Sequence, residues 1–288
     1  MQVKKPKISI LMTAYNREMF IREAIESVLM STYKYFELII VDDCSTDNTV
    51  DIIKELAVKD SRIRYFINTH NLGDYQNRNK AVSYAQGEYF MFVDSDDLIL
   101  KDGIERCLDT MQKFPDSGIG FYYANSKTDS PYSIQPEEIF KKHFFDDPIL
   151  IVGPGGTIVK REYFIEIHGY PELYGPANDM YFNLNAAANT AIVIIPFLFN
   201  YYRIHAGQEQ NNQYSYLYNN YNYLNDALRK LKLNLEPHQI EFLLNKNKRR
   251  FVVNSFFFLL KEKNIFKLNL AIKNAKFGIF DLCRALYH

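Results

Sequence analysis

Apolar residues come in short runs along this chain, and each run breaks into small or acidic polar residues. Residues 7–14, Lys-Ile-Ser-Ile-Leu-Met-Thr-Ala, read as a buried strand. Glu18–Met30 carries Ile21, Ala24, Ile25, Val28 and Leu29 on one face, which predicts an amphipathic helix. The rhythm then repeats. Strands are predicted over 36–41, Arg62–Ile67, Glu88–Val93 and Gly118–Tyr123. Between them fall helices over Thr46–Val58, Gly73–Ala85 and Asp102–Lys113, the first with Val50, Ile53, Leu56 and Ala57 inward. Strands alternating with helices imply parallel βαβ units. After residue 125 the pattern changes. Ser126–Pro136 is polar and turn-rich, and Gly153-Pro-Gly-Gly156 predicts a tight turn before a short strand to Lys160. Asp179–Ala188 reads as helix and Ala191–Tyr202 as extended chain. From Gln208 onward helical patterns dominate, with the Asn-, Gln- and Tyr-rich stretch 208–220 as a linker or surface turn.

The strand ends carry the candidate chemistry. Tyr89–Val93 stops at three carboxylates, Asp94, Asp96 and Asp97. Clustered carboxylates repel one another unless a cation or a helix N-terminus compensates. Oxygen ligands on a short turn suit Mg2+ or Mn2+; the plainer reading is an acidic cap on the next helix. The first strand ends in Thr13, Ala14, Tyr15 and Asn16, and the second in Asp42 and Asp43. Ligands bind at the carboxyl ends of strands in open α/β sheets, so parallel strands would collect all of these. Helix capping falls more naturally to Ser45, Thr46 and Asp47, which leaves Asp42 and Asp43 without a structural role.

Four segments, Ser9–Asn16, Glu37–Asp47, Gly87–Asp97 and Asn178-Asp179, stand in an order and spacing that resembles the family 2 glycosyltransferases. The resemblance covers about residues 5–205 and implies the GT-A nucleotide-sugar-binding fold, a mostly parallel central sheet flanked by helices. It implies a catalytic domain over 1–207, with a nucleotide-binding half to about 97 and an acceptor half beyond. Residues 208–288 would form a helical extension. The implied reaction moves one sugar from a nucleotide-diphosphate sugar, UDP-sugar favoured, to an acceptor hydroxyl with inversion.

The resemblance also distributes roles. Thr13, Ala14, Tyr15 and Asn16 would border the nucleotide, Tyr15 offering a ring to the base. Asp43 matches the carboxylate that accepts from a base N–H, with Asp42 beside it, and Arg78 matches a position near the base or phosphates. Asp94 would meet the ribose or support the metal site from behind, and Ser95 would border the nucleotide. Asp96 would be the primary ligand of Mn2+ or Mg2+, Asp97 its alternative, and His205 would complete the metal sphere or touch the diphosphate, with Arg203 helping to neutralise it. Asp179 would be the general base, a role a carboxylate can fill for an attacking hydroxyl. Asn178 stands where the family usually has Glu. Gly155 and Gly156 resemble the acceptor-side turn. A non-catalytic sugar-nucleotide-binding or scaffold protein of the same fold is the alternative. A processive synthase is set aside, because its Gln-x-x-Arg-Trp motif needs a tryptophan and this chain has none.

Composition narrows the picture. The 288 residues are 47% hydrophobic with zero net charge, which argues against nucleic acid as the main partner. The zero conceals an asymmetry: residues 237–288 hold ten Lys and Arg against three acids. With the apolar residues from Phe251 to Phe280 among them, this tail is expected either to touch an anionic membrane from the cytoplasmic side or to pack on the catalytic domain or a second subunit. Cys44, Cys107 and Cys283 show neither disulfide nor zinc spacing, and Met1–Lys7 lacks the apolar core of a secretion signal. No apolar run approaches a membrane span. A cytoplasmic protein is expected. The implied acceptor is a glycan or lipid-linked glycan of a bacterial surface polysaccharide, and a homo-oligomer stays open.

Overall fold

A computed structural model describes residues 8–126, 128–205 and 213–278, together with 280, 281, 283 and 285. The expected boundary at 207/208, the start of the expected linker at 208–212, and Ile279 and Arg284 of the basic tail lie outside the described residues.

The first half alternates as expected: β1 (Ile8–Ala14), α1 (Ile21–Leu29), β2 (Phe36–Asp42), α2 (Thr49–Lys59), β3 (Ile63–Ile67), α3 (Asp74–Tyr84) and β4 (Tyr89–Phe92). Then come β5 (Leu98–Ile99), α4 (Gly103–Lys113), β6 (Ile119–Tyr122), β7 (Tyr132–Ile134), α5 (Pro136–Phe145), β8 (Thr157–Lys160), α6 (Arg161–Glu166), α7 (Asn178–Asn189), β9 (Ile192–Ile195) and β10 (Asn200–Tyr201). Three helices follow: α8 (Gln213–Lys230), α9 (Pro237–Glu262) and α10 (Ile265–Asn274).

Among the described residues one eight-stranded sheet runs β3-β2-β1-β4-β8-β6-β9-β7. It is parallel from β3 through β4, and β8 then enters antiparallel between β4 and β6. The register aligns Ala14 with Asp42, so the first two strands end side by side. Side-chain alternation divides the core into two layers. Ile10, Met12, Leu38, Ile40 and Met91 pack with α1 on one face. Leu11, Ile39, Val41, Phe90 and Phe92 pack on the other face with residues of α3 and α7. Each face excludes water, so the polar ends of the strands are the first positions a ligand can reach.

α1 buries Ile21, Ala24, Ile25 and Val28 at i, i+3, i+4 and i+7. α3 breaks that rule by burying Asn77 and Arg78 beside Tyr75, Ala81 and Val82. Local patterning yields to a site at such positions. Two stretches differ from expectation. The turn-rich 126–136 contains β7, held by pairing with β9, and α5 starts at Pro136 with Glu137 and Glu138 in its first turn. Proline at a first helical position and acids behind it are helix-start signals. Lys141, Lys142 and His143 obscure the apolar stripe of this helix, which rests on Ile139 and Phe140.

The C-terminal helices pack on the core beside the sheet and on each other. Leu243 of α9 joins the main core, and Leu217, Tyr221, Phe251, Phe258, Ala271 and Ala275 form a smaller core of their own. Buried Lys248 pairs with Asp281 at 2.8 Å. Among the described residues no helix is long and apolar enough to cross a membrane.

Candidate active site

The carboxyl ends of β1, β2 and β4 border a cleft of about 760 Å³. Of the residues singled out from sequence, Thr13, Ala14, Tyr15, Asp43, Arg78, Asp94, Ser95, Asp96 and Asn178 line it. Asn16, Asp42, Asp97, Asp179, His205, Gly155 and Gly156 are not in its lining, and each has an identifiable position behind or beside the wall.

The two neighbouring aspartates after β2 point to different tasks. Asp42 is fully buried, and its carboxylate accepts from Ser45 N at 2.9 Å and Ser45 Oγ at 2.5 Å. It closes the turn into α2 and so has the structural role that sequence reasoning did not find. Asp43 accepts from Asn68 Nδ2 at 2.8 Å, Leu72 N at 2.8 Å and Gly73 N at 2.9 Å. A carboxylate offers about four acceptor positions, so one stays available on the cleft side. Gly73 has φ +89°, a backbone that only glycine adopts readily, and this lets its N–H face Asp43. Asn16, at φ +52°, ties the first turn to the second: its N–H donates to Ser45 Oγ at 2.9 Å and its Oδ1 accepts from Thr46 N at 2.8 Å. Tyr15 stays 45% exposed, its ring open to a ligand.

The acidic cluster is divided among three partners. Arg78 Nη2 stands 2.8 Å from Asp94 Oδ1 while its Nε donates to Asp74 Oδ1 at 2.9 Å. The contact with Asp94 is a close ion pair, and Arg78 Nη1 has no hydrogen-bond partner among the described residues. Burial pushes the Asp94 carboxyl up from its ordinary value, and the Arg78 guanidinium pulls it back. Asp96 Oδ2 lies 2.9 Å from His205 Nε2 and 3.2 Å from Arg17 Nε. The His205 ring stacks on Phe20 with centroids 4.5 Å apart, which holds the imidazole over Asp96.

Asp97 faces elsewhere. It is buried and accepts from Arg203 N at 3.0 Å, and burial pushes it up to about 7. Arg203 also reaches the Asp96 carbonyl, Phe20 O and Glu23 Oε2. Its guanidinium is engaged in latching the segment after β10 onto α1, a different place from the diphosphate role expected of it. Asn200 Nδ2 donates to Gly155 O, so β10 itself clasps the glycine turn. A Cβ at Gly155 would stand 3.7 Å from Asp94 Oδ2, and one at Gly153 would stand 4.0 Å from Asp179 Oδ2.

Asp179 sits in the first turn of α7, 8% exposed. Its Oδ1 accepts from its neighbour Met180 N at 2.8 Å. Burial pushes its carboxyl from the ordinary 3.8 to about 7, against a hydrogen bond from Tyr75 and the charge of Arg78. Asn178 Oδ1 accepts from Tyr174 N at 2.9 Å, which fixes the loop ahead of α7.

A divalent ion can be tested against these donors. Among the described residues no three His, Cys, Asp or Glu side chains converge on one point. Two do, Asp96 and His205. A Mg2+-type ion is usually held by one or two carboxylates with substrate phosphates and water supplying the rest. The pair therefore fits an ion that arrives with a diphosphate. The uncommitted Nη1 of Arg78 fits the same anionic ligand.

Several cleft residues were not singled out from sequence. Arg17 lies one residue past the first motif and lines the cleft. Asn68 and Asn77 hold Asp43 from behind: Asn77 Oδ1 accepts from Asn68 Nδ2 at 2.9 Å, and Asn77 Nδ2 donates to Val41 O at 3.0 Å. Ser215 and Tyr216 of α8 line the far side, so the C-terminal extension contributes to the cleft wall.

Comparison with known proteins gives the family and the fold. Residues 9–167 match the family described as Glycosyl transferase family 2, and the chain belongs to that family of transferase enzymes. A Bacillus subtilis protein, TuaG, named as a teichuronic acid biosynthesis glycosyltransferase, is 41% identical over 109 residues, 38% of this chain and 43% of that protein. Glycosyltransferase GlyG of Streptococcus pneumoniae serotype 4 is 30% identical over 177 residues, 56% of this chain and 59% of that protein. The chain thus spans about half the length of these curated relatives. Among solved structures, S. aureus TarS 1-349 in complex with UDP-GlcNAc superposes with a TM-score of 0.72 at 21% identity, covering 93% of this chain and 79% of that one. The mannosyltransferase PcManGT from Pyrobaculum calidifontis, in complex with GDP-Man and Mn2+, gives 0.65 at 15% identity, covering 99% of this chain and 84% of that one. These likenesses establish the GT-A fold.

Proposed function

We propose that the cleft binds a nucleotide-diphosphate sugar, a UDP-sugar in preference, and that the protein transfers the sugar with inversion to a hydroxyl of a glycan or lipid-linked glycan in surface polysaccharide synthesis. The observation that carries this reading is the acidic turn at the cleft, where Asp96 meets Arg17 and His205 and Asp94 meets Arg78, with buried Asp179 near Tyr75 and Arg78. The TarS complex with UDP-GlcNAc, the PcManGT complex with GDP-Man and Mn2+, and the teichuronic acid name of TuaG support it.

In this reading Tyr15 packs on the base and Asp43, pre-set by three N–H donors, accepts from it. Asp94 meets the ribose. Asp96 and His205 would hold Mn2+ or Mg2+, which when bound would offset the charge growing on the leaving diphosphate. Arg17 and Arg78 add fixed positive charge beside the same oxygens. The acceptor hydroxyl attacks the anomeric carbon, the bond to the diphosphate breaks, and the hydroxyl proton passes to Asp179. A base whose pKa lies near 7 suits that transfer at neutral pH. Nucleotide-binding residues fall before about residue 97 and acceptor residues after it, with α8 extending the acceptor side through Ser215 and Tyr216.

The test is release of UDP from a panel of UDP-sugars with lipid-linked acceptors and Mn2+. Release that needs both acceptor and Asp179 supports the transferase. Tight UDP-sugar binding with no release under any condition would instead favour the scaffold alternative.

A further inference from the structure

The outer edge of α9 and α10 has an organisation that the catalytic reading does not use. Positions 246, 249, 250, 253, 256, 257 and 260 of α9 follow i, i+3, i+4, i+7 spacing and share one helix face. All seven are exposed. The first three are Lys246, Arg249 and Arg250; the last four are Val253, Phe256, Phe257 and Leu260. The opposite face, with Phe251, Ser255 and Phe258, is buried against α8 and α10. The turn into α10 adds Ile265 and Phe266, and the six apolar side chains from Val253 to Phe266 are 50% to 77% exposed. Single exposed apolar residues need no explanation, but a cluster at one corner of the molecule does.

We infer that this corner seats the protein on an anionic lipid surface. The charges decide between lipid and a second copy of the chain. From 246 to 276 the exposed charged side chains are Lys246, Arg249, Arg250, Lys261, Lys263, Lys267, Lys273 and Lys276, against Glu262 alone. Two copies meeting through this face would bring like charges together. Anionic headgroups meet the basic side chains with opposite charge, while the phenylalanines reach the acyl boundary. The helices are too polar to span, so the contact is peripheral. α8 packs on α9 and lends Ser215 and Tyr216 to the cleft. Seating the corner therefore holds the cleft at a fixed attitude to the membrane, where a lipid-linked acceptor would be presented. The inference goes beyond the donor and base assignments and does not depend on them.

The test is co-sedimentation of the full chain with vesicles of neutral phosphatidylcholine, or of phosphatidylcholine with about one-third phosphatidylglycerol, at low and high salt. Two variants accompany it: Phe256→Ser with Phe257→Ser and Phe266→Ser, and Lys246→Glu with Lys267→Glu and Lys273→Glu. The expected result is binding to the anionic vesicles that falls with salt and drops roughly tenfold or more in either variant. Melting temperature and UDP affinity should stay at wild-type values, which separates this result from failure of the catalytic reading. No sedimentation with anionic vesicles at low salt would overturn the inference. So would wild-type binding to anionic vesicles by both variants, or a wild-type dimer in light scattering that the phenylalanine variant turns to monomer without any lipid binding.

Discussion

His205 Nε2 lies 2.9 Å from Asp96 Oδ2 although 109 positions separate the two residues in the chain. The contact exists because β10 pairs antiparallel with β5, directly after the acidic turn. Arg203 then latches the following segment to Glu23 and Phe20. The expected consequence is that Asp96→Ala and His205→Ala both weaken divalent-ion binding in the presence of UDP, with the aspartate variant losing more. Manganese titration followed by electron paramagnetic resonance measures this. Unchanged Mn2+ binding in Asp96→Ala would remove Asp96 from the ligand set.

Asp179→Asn should keep UDP affinity and lose roughly 100-fold or more in turnover, the range for a missing general base. The wild-type kcat/KM should rise with pH through about 7 as Asp179 loses its proton, and the Asn variant should lack that rise. A pH–rate profile of both proteins measures it; an unaltered profile in the variant would show that another group titrates.

The same carboxyl makes a stability prediction of definite sign. Its folded pKa, about 7, lies above the ordinary 3.8, so the folded state holds a proton that the unfolded state has released. Stability contributed by this group is present below the ordinary value and lost as pH rises through about 7. Asp179→Asn should therefore melt higher than wild type at pH 8 and about equally at pH 4. A lower melting temperature at pH 8 would contradict the burial argument.

Asp42 and Asp43 should separate cleanly. Asp42→Ala removes the acceptor of Ser45 N and Oγ and should cost about 1–3 kcal/mol of stability while leaving UDP affinity within a few-fold of wild type. Asp43→Asn should weaken UDP more than it lowers stability. Denaturant melts and UDP calorimetry on both variants provide the comparison.

How much of this was legible in the sequence follows from where each signal is stored. β1, β2 and β4 were legible because buried parallel strands read as unbroken apolar runs, and their ends because carboxylates stop those runs. The order of Asp43, Asp94, Asp96 and Asp179 was legible through family resemblance, whereas their partners were not. Arg17 follows Asn16, whose positive φ no pattern announces, and Asn68 meets Asp43 across 25 positions while Asn77 of α3 folds back to hold Asn68 and Val41 O. Asp42 and Asp43 are indistinguishable as letters; alternation and the Ser45 turn set them apart. Arg203 reads as a phosphate ligand until its guanidinium is found on α1. β7 owes its existence to pairing with β9, which no local pattern announces.

Arg17→Ala tests a residue that only the fold brings forward. A charge-assisted contact to a diphosphate is worth about 1.5–3 kcal/mol, so the variant should bind UDP some tenfold or more weakly. Uridine, which lacks the phosphates, should bind it as well as wild type. An equal loss for both ligands would assign Arg17 to the turn rather than to the diphosphate.

The central proposal for the cleft is a metal-assisted nucleotide site beside a separate base. Isothermal titration of UDP with and without Mn2+, on wild type, Asp96→Ala and Asp179→Asn, tests this most directly. The prediction is Mn2+-dependent UDP binding in wild type, its loss in Asp96→Ala and its retention in Asp179→Asn. UDP binding that ignores Mn2+ and survives Asp96→Ala, or no nucleotide binding by the wild-type protein, would contradict it.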